Sequence, residues 1–205
     1  MTPDHRRRWD GTLIDVTGHR SIAETEKAVQ AKLGRTRLRR EAMAAVANIY
    51  RAAAATRLHV ENSVLREAEL TWTGFVVLWV VWIFGEMETR HVAEEAGISK
   101  GTLTGVARTL ESRGLIVRSA HPSDGRLVLL SMTDAGEELM GRLFPAFNAE
   151  EAFVTAKLST AECVRLAELL RRIVAHLEDD GEQRRLDLLE GAAPAPRRGG
   201  RRRAS

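Results

Sequence analysis

This chain of 205 residues contains very little cysteine, and Cys163 is the only one. A single cysteine excludes an internal disulfide and a metal site built from several cysteines, and it is typical of a protein kept in a reducing compartment. The six histidines are scattered without the spacing of metal ligands. The sequence therefore predicts neither a metal nor any other cofactor.

Long apolar runs are absent as well. The longest spans residues 75–84, "FVVLWVVWIF", whereas a helix that crosses a bilayer needs about 20 residues. The run therefore predicts a buried helix. Residues 1–20 begin basic but contain no continuous apolar segment, which argues against a secretory signal peptide. We expect a cytoplasmic protein.

Catalytic signatures are missing too. The stretch "SKGTLTG", residues 99–105, contains closely spaced glycines, but it lacks the preceding strand and the closing Gly-Lys pair of a phosphate-binding loop. No nucleophile stands next to a general base in a recognisable catalytic motif. The sequence thus predicts a protein that is not an enzyme.

Positive charge is concentrated at the C-terminal end. The formal net charge is +3, yet five arginines lie within residues 197–203, so the remainder of the chain is slightly acidic. A segment rich in Pro, Gly and Arg cannot bury apolar surface, and we expect residues 179–205 to form a basic, disordered tail. Such a tail either attracts nucleic-acid phosphates or is a solvated segment without a role, and the sequence leaves both open.

Apolar periodicity predicts helices along most of the chain. Residues 1–35 form an N-terminal extension with one short helix, which begins at a Ser21/Glu24 capping box and ends at Gly34. Residues 36–70 follow the pattern of a long amphipathic helix. The next helix is apolar nearly all round, which predicts burial, and its aromatic stripe consists of Trp72, Phe75, Trp79 and Trp82.

The stretch from Ser99 to Ser112 predicts a helix with two different faces. One face of the expected helix is apolar and consists of Leu103, Val106, Ala107 and Leu110. The opposite face is small and polar and consists of Gly101, Thr104, Gly105, Arg108 and Ser112. Each internal glycine costs about 1 kcal/mol of helix stability relative to alanine. A small face lets a helix approach a rigid partner, and the major groove of DNA, about 12 Å wide, just admits a helix.

A helix-turn-helix pattern and a β-hairpin surround this stretch. Residues 89–97 predict a short helix, which is followed by a turn and then by the helix from Ser99. Beyond Gly114, the runs "LIVRSA" and "LVLLSM" are rich in β-formers and flank "HPSDGR", which contains an Asp-Gly turn. Residues 71–133 therefore predict a winged helix-turn-helix domain that binds DNA.

Residues 98–136 resemble the winged helix-turn-helix of MarR-type transcriptional regulators. The likeness rests on three motifs with the family's spacing: L-x-x-x-G-L-I from Leu110, H-P-S-D-G-R from His121, and L-x-x-T-x-x-G from Leu130. It implies a mainly α fold with a small β-wing and a helical dimerisation module formed by N- and C-terminal helices. It also implies a homodimer that binds a pseudo-palindromic operator, usually as a repressor, and that is released by a small, often aromatic or phenolic ligand.

The C-terminal residues fit the expected dimerisation module. Residues 134–178 predict one helix bent at Pro145 and a second that begins with a Ser159/Glu162 capping box. The second helix aligns an apolar stripe consisting of Cys163, Leu166, Leu170, Ile173, Val174 and Leu177. A regular stripe outside the winged unit requires a partner. A two-fold dimer would present two reading helices about 34 Å apart.

Side-chain chemistry and the resemblance together assign roles in DNA binding. Arg108 is expected to contact a guanine edge, and Thr104 a base or a thymine methyl. As the family's wing implies, Arg126 enters the minor groove, and Asp124 orients its guanidinium by a charge-assisted hydrogen bond. The expected phosphate contacts are Ser99, Lys100, Thr102 and Arg118.

Candidate ligand-binding residues lie near the expected junction between the dimerisation module and the winged unit. They are Arg57, His59, Trp72, Trp79 and Trp82. The alternative is that the tryptophans only pack in the core, as an aromatic stripe on an apolar helix ordinarily does. Cys163 is a candidate thiol sensor of the family's kind, but its place on an apolar stripe predicts a buried, inert thiol.

A second class of function stays open. The arginine-rich end is also compatible with a ligand-independent architectural protein that binds DNA without regard to sequence. The two classes differ in selectivity: a regulator prefers one palindrome over random DNA by about 10³ or more at physiological salt, whereas an architectural protein binds both alike.

Overall fold

The computed structural model describes residues 22–189. The helices are α1 (Ile22–Leu33), α2 (Arg40–Val60), α3 (Trp72–Phe84), α4 (Thr89–Glu95), α5 (Lys100–Ser112), α6 (Asp134–Val154) and α7 (Thr160–Leu188). The strands are β1 (Met87–Glu88), β2 (Ile116–His121) and β3 (Asp124–Met132), and a π-helical segment, Glu61–Leu65, follows α2. Residues 1–21, with the predicted cap Ser21, and residues 190–205, with the five arginines, lie outside the described range. The predicted mainly α fold with a small β-wing is confirmed.

The chain divides into two compact units after Ala53. The first unit holds α1 and the beginning of α2, and Nη2 of Arg40 donates to the Gly34 carbonyl at 3.1 Å. The short helix predicted here is confirmed, whereas the long helix begins at Arg40 rather than at Thr36. None of residues 23–53 is buried. The described part of this unit therefore has no core of its own.

The core of the second unit is built around α3. The Thr71 hydroxyl oxygen begins this helix by accepting from the Gly74 N–H at 3.1 Å. Six residues of α3 are buried, and the helix packs against α4, α5, α6 and β3. The predicted buried helix is thus confirmed. The large side chains at the centre, all with less than 2% exposure, include Leu78, Leu110, Ile116, Leu130 and Met140.

Three antiparallel strands form the sheet in the order β1-β3-β2. The predicted wing hairpin is confirmed, but its turn lies at Pro122–Ser123 and not at Asp124–Gly125. His121 pairs with Asp124 across a register irregularity. The Asp-Gly pair therefore belongs to β3 and not to the turn. The strand β1 has only two residues, too few for a sequence pattern to reveal it.

A tight junction joins the end of α5 to the start of α6. Gly114 follows α5 with a φ of +69°, a left-handed conformation that glycine adopts without strain. The Thr133 hydroxyl donates to the Gly114 carbonyl at 2.6 Å and accepts from the Gly136 N–H at 3.0 Å. A Cβ at Gly136 would lie 2.2 Å from the Leu115 carbonyl oxygen. The three residues therefore stand at this spacing because Thr133 bridges Gly114 and Gly136, and the close approach of the backbone at Gly136 leaves no room for a side chain.

The last two helices confirm that the C-terminal part of the second unit is helical. Pro145 lies inside α6. The predicted Ser159/Glu162 capping box starts α7, and these hydrogen bonds from Ser159 lower the pKa of the Glu162 carboxyl below its usual value. None of the residues of α7 is buried.

Helix α7 also corrects the expected boundary of the tail. It continues through residues 179–188, so a disordered segment from residue 179 is wrong for this stretch. Pairs such as Arg185 Nε to Glu182 at 2.8 Å support helix at this spacing. Within residues 22–189, no helix combines the length and apolarity that a membrane span requires.

Candidate nucleic-acid interface

Helix α5 has a buried face and an exposed face, as its sequence predicts. Leu103, Ala107 and Leu110 are each only 2% exposed. The exposed face, here called the small-residue face, consists of Gly101, Thr104, Gly105, Arg108 and Ser112. A Cβ at Gly105 would meet no heavy atom within 4 Å. Packing within the described chain therefore does not require glycine there. The absence of a side chain instead leaves room for a partner molecule to approach this face.

Hydroxyl groups at the start of α5 are already engaged within the chain. The Ser99 oxygen accepts from the Thr102 N–H at 3.1 Å, and the two hydroxyls lie 2.8 Å apart. The Thr104 hydroxyl donates to the Lys100 carbonyl at 2.9 Å. Ser99 therefore acts first as a helix cap, while the exposed Lys100 ammonium and the N-terminal amides of the helix provide positive potential.

The wing places Arg126 in an exposed position on β3. The Asp124 carboxylate accepts from the Arg126 backbone N–H at 2.9 Å. Two residues along a strand bring the acid within reach of the backbone amide, and orientation of the guanidinium on DNA stays a prediction. Asp124 therefore shapes the wing next to the turn.

Arg118 is held by a carboxylate of α5. Its Nε donates to Oε2 of Glu111 at 2.8 Å. The Arg118 guanidinium lowers the pKa of the Glu111 carboxyl below its usual value, and the carboxylate in turn raises the pKa of Arg118. The pair connects β2 to α5. A phosphate contact by Arg118, which stays a prediction, would require its guanidinium to exchange or share this carboxylate.

A groove of about 380 Å³ lies between α5 and the wing. Lys100 and Arg126 line it, together with Arg90, which sequence reasoning missed. Arg90 lies in the first turn of α4, and its Nε is 2.8 Å from Oε2 of Glu88. Pairing of β1 with β3 brings this region next to the wing, and such a long-range contact leaves no local sequence signal. Arg118 of β2 also lines the groove, so cations from four elements border it: α4, α5, β2 and β3.

The predicted ligand residues Arg57 and Trp72 meet at one carboxylate. Arg57 Nη2 lies 3.3 Å from Oε1 of Glu61, and the backbone N–H of Trp72 donates to the same oxygen at 3.0 Å. His59 has different partners: its Nε2 is 2.5 Å from Oε2 of Glu150, and its ring stacks on Phe153 at 5.2 Å. Neither acidic partner, Glu61 nor Glu150, was identified from the sequence.

The three tryptophans are half-buried and pack against the core at different places. The Trp72 ring lies 6.3 Å from Phe147, and the Trp79 ring meets Phe84 edge-on at 6.2 Å. The Trp82 indole N–H donates to Glu137 at 2.8 Å. These contacts support the packing alternative and spread the candidates along α3.

Two further kinds of reactive side chain within the described residues 22–189 are Cys163 and the possible metal ligands. Cys163 is half-buried on α7 in the single chain, so its stripe shields the thiol less than its sequence position predicts. Among residues 22–189, no group of three or more His, Cys, Asp and Glu residues is arranged to hold a metal ion.

Comparison with known proteins agrees with this geometry. Residues 70–128 match the model of the MarR family. The HTH-type transcriptional regulator YwaE of Bacillus subtilis is 34% identical over 162 residues, which cover 78% of this chain and 95% of YwaE. The chain therefore belongs to the MarR family of DNA-binding transcriptional regulators, a family of regulators rather than enzymes.

Solved structures show the same architecture. BpsR of Bordetella bronchiseptica, whose DNA binding is regulated by 6-hydroxynicotinic acid, is 27% identical, with a TM-score of 0.58 over 63% of this chain and 98% of BpsR. Sco3205 of Streptomyces coelicolor, solved in complex with DNA, has a TM-score of 0.61 over 68% of this chain and 89% of its own. At 23% identity, Sco3205 supports the fold alone.

Proposed function

We propose that this regulator is a homodimeric repressor that binds a pseudo-palindromic operator and is released by a small aromatic or phenolic ligand. The observation that carries the proposal is the exposed small-residue face of α5, which lies beside a wing and a groove bordered by cations. A helix in the major groove with an arginine in the adjacent minor groove accounts for both features.

The contacts with DNA divide into two kinds. Arg108 projects from the small-residue face and is the proposed reader of a guanine edge, with Thr104 beside it. Lys100, Arg90 and the first amides of α5 are the proposed phosphate contacts, which fix the register of the helix without reading sequence. Arg126 is the proposed minor-groove contact.

The proposed dimer is supported by helices whose side chains the described single chain does not bury. The described residues 23–53 and all of α7 contain no buried side chain. Large apolar side chains along one side of α7 are exposed, among them Leu166, Leu169, Leu170, Ile173, Val174 and Leu177. A second copy would cover this surface, and a contiguous apolar surface of this extent ordinarily marks an interaction site.

The proposed ligand site is the region of Arg57, His59 and Trp72. Arg57 and His59 offer positive or hydrogen-bonding groups for an anion, and Trp72 offers a ring for stacking. In the structure, Arg57 pairs with the Glu61 carboxylate and His59 with that of Glu150. An anionic ligand would have to displace these two carboxylates. The relative BpsR, which responds to a hydroxylated aromatic acid, supports a ligand of this class.

Selection of bound sites from randomised DNA tests the proposed function. We expect one palindromic sequence with half-sites about one helical turn, roughly 34 Å, apart. We also expect preference over random DNA by about 10³ or more at physiological salt. Equal binding to both would favour the architectural alternative and contradict an operator-specific regulator. Aromatic acids added to the selected complex then test ligand release.

A further inference from the structure

Arg113 connects the end of α5 to a distant part of the chain. One guanidinium nitrogen donates to the Glu69 carbonyl at 2.6 Å, and the other donates to the Ala68 carbonyl at 2.9 Å. Both acceptors lie in the connection between the π-helical segment and α3. The two hydrogen bonds therefore tie the C-terminal end of α5 to the beginning of the winged unit, across more than 40 residues of sequence.

The position of these carbonyls explains why a cation is needed. Helical geometry continues beyond the π-helical segment at Arg66, and Glu69 turns the chain with a φ of +53°. Carbonyls at the end of a helix carry partial negative charge and lack partners within the helix. The C-terminal end of α5 carries the same partial charge. Arg113, the C-cap residue of α5, places a positive charge against the carbonyls of the other helix end.

Two other kinds of contact hold α5. The Glu111–Arg118 pair ties its last turn to β2 of the wing, and Leu103, Ala107 and Leu110 hold its inner face, but apolar contacts are not directional. Neither kind ties α5 to the connection that precedes α3. A planar guanidinium with two acceptors is directional, because both hydrogen bonds require one orientation of the group. Small rotations of α5 would misalign Arg108 and Thr104 with base edges while leaving the apolar burial nearly unchanged.

We infer that Arg113 is a positioning residue for sequence reading: it holds α5 at the angle from which Arg108 and Thr104 reach the bases, without contacting DNA itself. This inference rests on the proposed function, since it concerns discrimination between an operator and other DNA. It predicts that loss of Arg113 lowers specific affinity and leaves nonspecific affinity unchanged. A phosphate contact would lower both.

The experiment compares the wild type, Arg113→Ala and Arg113→Lys on the selected operator and on random duplex DNA, across a range of salt concentrations. Arg113→Ala should lose about tenfold in operator affinity, because the free protein would populate the orientation of α5 that reads the bases only about a tenth of the time. Its affinity for random DNA and the slope of affinity against salt should match those of the wild type. Arg113→Lys, which keeps the charge but not the planar fork, should recover only part of the loss.

Arg142→Ala, at an exposed arginine of α6, is the control for the lost charge. If Arg113→Ala weakens binding to both DNAs and reduces the salt slope by about one, Arg113 is a phosphate contact and the inference is wrong. An unchanged operator preference also overturns it but leaves the proposed function intact. If the wild type itself shows no preference, both fail. Circular dichroism verifies folding, and Arg113→Lys carries the same test should the alanine variant unfold.

Discussion

Two arginines of the wing differ in which of their groups is bound by a neighbouring carboxylate. Arg118 and Arg126 both lie on the hairpin, and the sequence assigns both to DNA. In the structure, Glu111 holds the Arg118 guanidinium, whereas Asp124 binds only the backbone N–H of Arg126. Arg126 is therefore the residue of the pair whose charge we expect to matter most for DNA binding.

Substitution of Arg126 by alanine tests that expectation. Operator affinity should fall by about 1–3 kcal/mol, because a positively charged minor-groove contact is lost, while thermal stability stays nearly constant. Fluorescence anisotropy with labelled operator DNA measures the affinity, and Arg142→Ala serves as the matched control. If Arg126→Ala binds the operator as tightly as the wild type, the wing is not part of the DNA-binding surface.

Glu111→Gln tests the pair between α5 and β2 through pH. Because Arg118 lowers the pKa of Glu111, the pair contributes to the free energy of unfolding above the ordinary carboxyl pKa of about 4.3. That contribution is lost as pH falls through the lowered pKa of the folded state. Urea unfolding should therefore show the wild type more stable than Glu111→Gln at pH 7, with the difference shrinking below pH about 4. A constant difference across pH would contradict the assignment.

Among the elements, the start of α6 depends most strictly on one residue. Gly136 leaves no room for a side chain, since a Cβ would approach the Leu115 carbonyl oxygen to 2.2 Å. We expect Gly136→Ala to destabilise the fold by about 1–3 kcal/mol or more through forced backbone shifts. Gly141→Ala, at an open position of the same helix, should instead stabilise it by up to about 1 kcal/mol. Similar unfolding midpoints for the two variants would refute the steric account.

Sequence patterns predicted those elements whose signals are local. The two faces of α5 follow from residue spacing within 13 residues, and the Ser159/Glu162 cap from a four-residue motif. The turn at Pro122–Ser123 was missed because cross-strand pairing, not turn propensity, decided its place. The extension of α7 was missed because residues 179–205 were judged by their composition as a whole. The first ten of these residues continue the helix.

Parts of the candidate site could not be predicted for a related reason. The contact of His59 with Glu150 and that of Arg113 with Glu69 join residues far apart in sequence. No periodicity within one segment encodes such pairs. Only the family resemblance supplied the overall arrangement of helices and wing, and it was silent on these particular contacts.

Binding to two half-sites at once requires that the whole molecule be a dimer. Leu177 is 61% exposed on α7 and lies within the apolar stripe, whereas Ala175 is on roughly the opposite side of the helix. We expect Leu177→Glu to dissociate the dimer in sedimentation velocity and to weaken operator binding, because a charge would enter the interface. Ala175→Glu introduces the same charge and should stay dimeric. Monomeric wild-type protein at micromolar concentration would contradict the proposed assembly.

The central claim is that the small-residue face of α5 docks against DNA, and Gly105→Glu tests it most directly. The position is open, so the substitution should raise helix stability by about 0.5–1 kcal/mol while its bulk and negative charge oppose docking. Gly141→Glu, also at an open helical position, is the control for charge and stability. We predict that operator affinity, measured by anisotropy, falls by more than about tenfold, or 1.4 kcal/mol, in Gly105→Glu and is unchanged in Gly141→Glu. Equal operator affinity in the two variants would contradict the claim.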